Sequence, residues 1–170
     1  TKASYNVTNK LTLFADLQYR MVFYDATSVK FDDVNDTFRF FNPKAGLNYQ
    51  LNDKNAFYVY FGIANKEPRR DDYESGAIKP ERLFDYELGW KYNTKNVKLY
   101  ANAFYMRYND QLVMTGELND VGSPVFTNSG KSYRLGLELE AKIKPIDKWI
   151  LQPNITISQN KNEDFYFQRD

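Results

Sequence analysis

Apolar and polar side chains alternate with a period of two over long stretches of the chain. From Leu11 to Phe23 the odd positions are apolar or aromatic, while the even ones include Asp16 and Arg20. This period predicts β-strands with one apolar and one polar face. Residues 1–5 are a candidate for the end of an eighth strand. The seven clear segments cover residues 11–23, 41–51, 57–63, 84–92, 97–105, 133–143 and 149–157.

The lengths of these segments and of their connections predict the architecture. Strands of ordinary globular sheets average about five or six residues, whereas a tilted strand that crosses a membrane needs about 9 to 11. Short turns and long loops strictly alternate along the chain. In an antiparallel sheet this alternation places all the turns on one rim of the sheet and all the loops on the other, as in outer-membrane barrels. We therefore predict an all-β fold, an antiparallel up-and-down meander that forms part of a transmembrane β-barrel. The turns cover residues 6–9, 52–55, 93–96 and 145–148, and the loops 25–36, 65–80 and 109–128.

Composition narrows the range of functions. The 170 residues contain neither cysteine nor histidine, so disulfides, thiolate or imidazole metal sites and most catalytic triads are excluded. The 23 basic and 22 acidic residues are interspersed and form no basic stripe, which argues against a nucleic-acid partner. We predict a protein that is not an enzyme and that needs no cofactor or bound metal.

Aromatic residues cluster towards the two ends of the predicted strands. They make up 17% of the chain, as expected for a barrel whose aromatic girdles lie at the membrane interfaces. Packing in the core of a soluble sheet is the alternative explanation. The cluster near the long loops is Tyr24, Phe38, Phe61, Phe84, Tyr105 and Tyr133, and the one near the short turns is Tyr49, Phe57, Trp90, Tyr92 and Trp149.

Two loop segments carry candidate binding residues. In the loop at 65–80, Arg69, Arg70 and Tyr73 are the predicted contacts for an anionic small molecule or metal chelate, because guanidinium groups recognise carboxylates and phosphates well. A solvated loop with local ion pairs is the alternative. Asp32, Asp33, Asn35 and Asp36 crowd oxygen ligands as calcium loops do, but they lack the spacing, central Gly and final Glu of an EF-hand.

Three segments resemble the barrel half of TonB-dependent outer-membrane receptors. They are residues 41–49 (FNPKAGLNY), residues 78–81 with 86–90 (IKPE, YELGW), and residues 128–131 with 136–139 (NSGK, GLEL). Their order and their positions on successive strands make the combination more specific than any one segment. The Asn-rich composition is also similar to receptors of the Bacteroidetes.

The resemblance implies a barrel of about 22 strands, closed by a plug domain and located in the bacterial outer membrane. Receptors of this kind import iron–siderophore complexes, cobalamin or glycans with energy supplied through TonB. Outer-membrane lipid, the receptor's own plug and TonB are therefore the expected partners. Residues 1–170 contain no counterpart of the plug and no signal segment, so we expect a single barrel segment of seven or eight strands.

Four carboxylates lie at positions that alternate with the apolar residues, on the polar face of the predicted strands. If the barrel is plugged, we expect Glu81, Glu87, Glu138 and Glu140 to face the lumen and pair with basic residues of the plug. Solvated residues of a polar face are the alternative. Two other architectures stay open at this point: a complete eight-stranded outer-membrane barrel of structural or adhesive role, and a soluble β-sandwich that binds carbohydrate.

Overall fold

The computed structural model describes residues 1–27, 33–74, 76, 79–118 and 122–163. One continuous sheet accounts for most of them, and we call it the wall. The strands of the wall are β1 (Lys2–Asn6), β2 (Leu11–Ala26), β3 (Val34–Gln50), β4 (Asn55–Lys66), β5 (Glu81–Asn93), β6 (Val97–Asn109), β9 (Lys131–Ile146), β10 (Trp149–Leu151) and β11 (Asn154–Asn162). Two elements lie in the connections: helix α1 (Arg70–Glu74), and a hairpin of β7 (Leu112–Leu118) and β8 (Pro124–Asn128).

The wall is an antiparallel meander. Strands β1 to β6 pair in chain order, β6 then pairs with β9, and both β10 and β11 pair with β9. Strands β2, β3 and β9 have 16, 17 and 16 residues, far longer than the strands of a sandwich. Within the described residues β1 and β11 do not pair with each other, so the sheet is open. These observations confirm the predicted fold class. No helix in the described part of the chain is long and apolar enough to cross a membrane.

Side-chain oxygens hold the short turns. Asn52 Oδ1 accepts hydrogen bonds from the backbone N–H groups of Lys54 and Asn55, at 3.0 Å each. Thr94 Oγ1 accepts from the N–H of Val97 at 3.0 Å. Because Asn and Thr satisfy backbone donors locally in this way, they favour tight turns between strands. We call this edge of the wall the turn rim and the opposite edge, where the longer connections lie, the loop rim.

The two faces of the wall differ as the alternation predicts. The odd-numbered residues of β2 and β3 point to one face, where Leu17 is 54% exposed and Phe41 is 54% exposed. On the other face Phe40, Asn42 and Asn102 are buried. Because large apolar side chains in water are unfavourable, so wide an exposed apolar surface fits contact with lipid. We call these the apolar face and the polar face.

Aromatic rings lie over glycines on the polar face. A Cβ added at Gly46 would overlap the ring of Phe14, and one at Gly89 would overlap the ring of Tyr58. Each ring belongs to the residue directly opposite the glycine on the neighbouring strand. The missing side chain therefore makes room for a cross-strand ring, which covers backbone that glycine leaves bare.

Pro43 marks the point where β3 and β4 separate. The β3 strand continues through Pro43 and stays paired with β2, in the register Leu17–Pro43. Its pairing with β4, however, ends at Lys44 and Gly62. Proline has no N–H to donate to a second neighbour, so it is tolerated where one side of a strand is unpaired. Beyond Pro43, towards the loop rim, side chains rather than backbone bonds bridge the two strands.

Several details differ from the sequence expectations. The predicted last strand is divided into β10 and β11 by Gln152 and Pro153, since proline cannot continue the ladder. The loop expected at 25–36 is shorter, because β2 runs to Ala26 and β3 starts at Val34. The loop expected at 109–128 contains the β7–β8 hairpin. The prediction that Tyr24 and Phe38 belong to the aromatic girdle is wrong, since their even positions put them on the polar face.

We expect Gly89→Ala to lower the free energy of unfolding by about 1 to 3 kcal/mol, because the added methyl group overlaps the Tyr58 ring. Urea unfolding of the barrel in detergent measures this loss. In a Tyr58→Ala background the same substitution should cost almost nothing. An equal loss in both backgrounds would show that the ring is not the cause.

Candidate ligand-facing rim and polar inner face

The loop rim is built from folded segments. Helix α1 lies between β4 and β5, and the β7–β8 hairpin lies between β6 and β9. Asp72 accepts a hydrogen bond from the backbone N–H of Arg69 at 2.7 Å, as an acidic residue in the first turn of a helix commonly does. The helix is short, so its position depends on contacts with the rest of the chain, which include β8 of the hairpin and the wall.

Tyr73 connects α1 to the wall. Its side chain is buried, and its ring stacks on Tyr24 of β2 with centroids 5.0 Å apart. Its hydroxyl donates to Asp36 Oδ2 of β3 at 2.5 Å. Burial, with the nearby Asp36 carboxylate, raises the pKa of Tyr73 well above its usual value, so the hydroxyl stays protonated and remains a donor. One residue thereby attaches the helix to two strands.

Arg20 bridges the gap that opens beyond Pro43. Its guanidinium forms a two-pronged ion pair with Glu67, with Nη1–Oε1 at 2.9 Å and Nη2–Oε2 at 2.5 Å, and it also donates to the Asn65 carbonyl at 3.1 Å. The hydrogen bond from Arg20 lowers the pKa of Glu67 below its usual range. Asn65 Nδ2 donates to Asn42 Oδ1 at 2.7 Å. The Asn65–Asn42 bond thus links β4 to β3, and Arg20 links β2 to the end of β4 and to Glu67.

A second set of contacts ties the hairpin connection to β5 and β9. The Asn128 side-chain amide donates to the carbonyls of Lys79 and Asp110, at 3.0 and 2.9 Å. Glu81 Oε2 accepts from the N–H of Leu112 at 3.0 Å, and Ser132 donates to Gln111 at 2.6 Å in a buried bond. The connections at 67–80 and 110–130 are therefore held to each other and to the wall.

The predicted ligand residues separate into two kinds. The guanidinium groups of Arg69 and Arg70 are exposed at the loop rim, and Arg70 is paired with Glu74 at 3.5 Å. Tyr73, by contrast, is buried against Tyr24 and Asp36. Its geometry is that of an anchor that positions the two arginines. Direct contact of the arginines with a ligand stays a prediction.

The predicted lumen carboxylates occupy two levels of the wall. Glu87, Glu138 and Glu140 share the polar face, while Glu81 lies near the loop rim and accepts the bond from Leu112. Glu87 Oε2 lies 3.2 Å from the Tyr58 hydroxyl oxygen. Glu140 is exposed and Glu138 is partly exposed. Three of the four are thus accessible on one face, and their pairing with a plug stays a prediction.

A tyrosine cluster on the polar face was missed by reasoning from the sequence. The Tyr58 hydroxyl lies 2.5 Å from that of Tyr100 and donates to Asn102 Oδ1 at 2.9 Å. The Lys91 ammonium lies over both rings, 5.2 and 5.9 Å from their centroids. The sequence does contain a signal for this cluster. Tyr58 and Tyr100 occupy positions that alternate with the apolar residues of their strands, so they lie on the polar face and not among the lipid-facing aromatic residues.

Metal chemistry has no visible basis in the described part of the chain. No group of three or more acidic residues is close enough there to hold a metal ion. The Asp36 carboxylate accepts from Tyr73, and Asp32 lies outside the described residues.

Comparisons with known proteins agree with this architecture. Residues 1–168 match the family described as TonB dependent receptor-like, beta-barrel. The pesticin receptor of Yersinia enterocolitica is 35% identical over 85 residues, which is 49% of this chain and 12% of the receptor. The pesticin receptor of Yersinia pestis is 34% identical over the same length. The matched segment thus spans about an eighth of the length of these relatives.

Solved structures share the fold at low sequence identity. The FrpB iron transporter of Neisseria meningitidis superimposes with a TM-score of 0.76 and 20% identity, over 97% of this chain and 26% of the transporter. The ferripyoverdine receptor of the outer membrane of Pseudomonas aeruginosa gives a TM-score of 0.63 and 23% identity, over 94% of this chain and 22% of the receptor.

The chain belongs to the TonB-dependent receptor β-barrel family. It forms part of the wall of an outer-membrane barrel of Gram-negative bacteria, with its apolar face towards lipid. This confirms the family resemblance and the expected localisation. The likeness to receptors of the Bacteroidetes stays a prediction.

We expect Tyr73→Phe to make proteolytic cleavage within residues 67–74 about fivefold faster, because the hydrogen bond to Asp36 contributes about 1 kcal/mol. Tyr73→Ala should accelerate cleavage further, since it also removes the stack on Tyr24. Limited proteolysis of the receptor in detergent provides the measurement. Tyr86→Phe on the apolar face is the matched control and should leave the rate unchanged.

We expect the segment around Glu67 to loosen in acid. A carboxyl with a lowered pKa stabilises the fold above its unfolded pKa of about 4.3, and this contribution is lost as the pH falls through the folded value. Hydrogen exchange of residues 65–69, corrected for the intrinsic rate, should rise about fivefold between about pH 6 and pH 3. In Glu67→Gln it should already be fast at pH 6 and no longer depend on pH. A pH response that persists in the variant would contradict the assignment.

Proposed function

We propose that this chain is part of a receptor that imports a scarce nutrient through a plugged barrel, without catalysis. Family membership and the ordered loop rim support this role. A receptor that selects a dilute ligand needs binding residues held in place before the ligand arrives, because ordering a loop on binding lowers affinity. The attachment of α1 through Tyr73, which leaves two arginines exposed, is the observation that carries the proposal.

An anionic metal chelate, such as an iron–siderophore complex, is the substrate class that the rim fits best. Arg69 and Arg70 present two guanidinium groups towards the exterior, and such groups pair with carboxylate, hydroxamate or phenolate oxygens. The iron transporter and the ferripyoverdine receptor named above take their names from iron or an iron chelate, which supports the same class. Cobalamin and glycans are the other candidate substrates.

The plug and TonB complete the proposed mechanism as partners. Glu87, Glu138 and Glu140 line the polar face, where basic residues of a plug would meet them. Movement of the plug under the action of TonB would then open the path through the barrel. The alternatives have less support: the open sheet does not match a complete eight-stranded barrel, and strands of 12 to 17 residues do not match a sandwich.

Replacement of both arginines tests the ligand assignment. In the intact receptor, Arg69→Ala with Arg70→Ala should weaken binding of a ferric chelate about tenfold, because two charge-assisted contacts are lost. A panel of ferric siderophores, cobalamin and oligosaccharides, measured by tryptophan fluorescence quenching, identifies the substrate class.

The matched control is Lys95→Ala with Lys98→Ala at the turn rim, which removes the same charge far from the proposed site. It should leave affinity unchanged. Equal affinity of the arginine variant and the control for every ligand that binds would refute the role of the arginines. Failure of cells that lack the receptor to show any uptake defect would refute the import function.

A further inference from the structure

We propose that Arg20 is a further ligand-binding residue of this receptor and that the Glu67 carboxylate is an internal competitor, which occupies the Arg20 guanidinium until an anionic chelate displaces it. The inference rests on the function proposed above, because it assigns a step in the binding of the same substrate class. Its consequence is that Glu67 lowers the affinity of the unmodified receptor for such a chelate.

A cavity at the loop rim contains both side chains. It has a volume of about 600 Å³ and lies between the polar face of β2 and the connection after β4. Arg20, Lys66, Arg69 and Arg70 contribute four cationic groups to its lining, and among the described residues Glu67 contributes the one carboxylate. A concave site with several cations suits an anionic ligand, since each charge-assisted contact adds affinity and fixes orientation. The two arginines of the connection therefore share one cavity with Arg20.

The strand pattern directs Arg20 into this cavity. Arg20 stands at an even position of β2 and therefore on the polar face, together with Val22 and Tyr24, which also line the cavity. A side chain on the polar face of a barrel wall lies on the lumen side. Arg20 is thus placed inside the entrance of the barrel, where a ligand bound at the loop rim comes within its reach.

The Arg20–Glu67 pair has the geometry expected for a bound anionic ligand. Two guanidinium nitrogens contact the two oxygens of one carboxylate, with Nη1–Oε1 at 2.9 Å and Nη2–Oε2 at 2.5 Å. Arginine recognises other carboxylates by this same two-pronged contact. A free carboxylate of a chelate can therefore take the place of the Glu67 carboxylate while the guanidinium stays where it is.

Arg20 keeps two other contacts when Glu67 leaves. Its guanidinium lies over the ring of the buried residue Phe40, 4.9 Å from the ring centroid. Its Nη2 also donates to the Asn65 carbonyl oxygen at 3.1 Å. These contacts hold the guanidinium against the strands, so it stays oriented for the incoming carboxylate and no ordering of the arginine has to accompany binding.

Exchange of the Glu67 carboxylate costs little, because the pair is only partly buried. The Arg20 side chain is 35% exposed and the Glu67 side chain is 26% exposed. Ion pairs in contact with water contribute little to stability, since both charges remain partly solvated. Helix α1 has its own attachment to the wall through the Tyr73 hydroxyl and Asp36. Release of Glu67 therefore leaves α1, and with it Arg70, in position.

Competition of this kind favours chelates with several anionic groups. A simple carboxylate gains the contact with Arg20 but displaces an equivalent one, so its binding is close to neutral. A chelate with several anionic oxygens also reaches the Arg69 and Arg70 guanidinium groups, which line the same cavity. The Glu67 carboxylate therefore discriminates against small carboxylates, and specificity is the gain that accompanies the lower affinity.

Two substitutions of Glu67 in the intact receptor test the competition. The probes are ferric citrate and a ferric tris-catecholate, which are negatively charged, and fluorescence quenching in detergent measures their affinities. Glu67→Gln should tighten binding of these chelates about threefold, because the competing charge is removed. Glu67→Asp keeps the charge but is one methylene group too short for the two-pronged contact, so it should tighten binding about twofold.

The matched control is Asp71→Asn, which removes an exposed carboxylate of the same connection that does not line the cavity. It should change the affinities less than about 1.5-fold. A gain from Glu67→Gln without a gain from Glu67→Asp would indicate simple charge repulsion and overturn the competition. Unchanged or weaker binding by both Glu67 variants, or an equal gain from Asp71→Asn, would overturn it as well.

Substitution of Arg20 tests its role as a ligand contact. Arg20→Gln should weaken binding of the same chelates about tenfold, while Lys95→Gln, which removes an exposed charge at the turn rim, should leave it unchanged. If Arg20→Gln loses its heat-modifiable migration, Arg20→Lys decides the question, because lysine keeps the charge without the two-pronged contact. A loss of about threefold is expected, and unchanged binding would refute the assignment.

The same measurements distinguish a failure of this inference from a failure of the proposed function. A receptor that binds neither negatively charged chelate would overturn both this inference and the proposed substrate class. A receptor whose binding depends on Arg69 and Arg70, but not on Arg20 or Glu67, would overturn this inference alone.

Discussion

Backbone hydrogen bonding in a medium without water is the constraint on which the rest of this structure depends. The hydrocarbon core of a membrane offers no partner for an unpaired N–H or C=O group, so each strand of the wall must pair with both neighbours. Strands β2 and β3 accordingly pair over sixteen consecutive residues. Pro43 stands where the pairing of β3 with β4 stops, and Pro153 lies between β10 and β11. Beyond Pro43 the hydrogen bond between Asn65 and Asn42 links β4 to β3, and Arg20 of β2 pairs with Glu67 just after β4.

The same constraint assigns different tasks to the two faces. The apolar face has only to match lipid, so many residues of similar character serve equally well there. The polar face must fill space and satisfy polar groups at once, and it does so with rings over glycines and with the network of Tyr58, Tyr100 and Asn102. This face therefore contains the specific contacts of the wall.

The contacts of Tyr73 and Arg20 link the exposed loops to this framework. Each joins a connection at the loop rim to strands whose pairing the membrane enforces, so the position of the loop follows from that of the wall. A rigid scaffold that carries folded loops is a common arrangement for binding sites.

The amino-acid sequence alone determined the strands, the two faces and the family, because a period of two and an alternation of turns and loops are local properties of the chain. The even positions of Tyr24 and Phe38 in their strands also indicated that both belong to the polar face, although their proximity to the strand ends suggested the aromatic girdle. The folding of the long connections needed the tertiary structure. The burial of Tyr73 depends on Asp36 and Tyr24, which are 37 and 49 positions away in the chain. The pairing of Arg20 with Glu67 likewise joins residues 47 positions apart, and contacts between residues so distant in sequence leave no periodic signal.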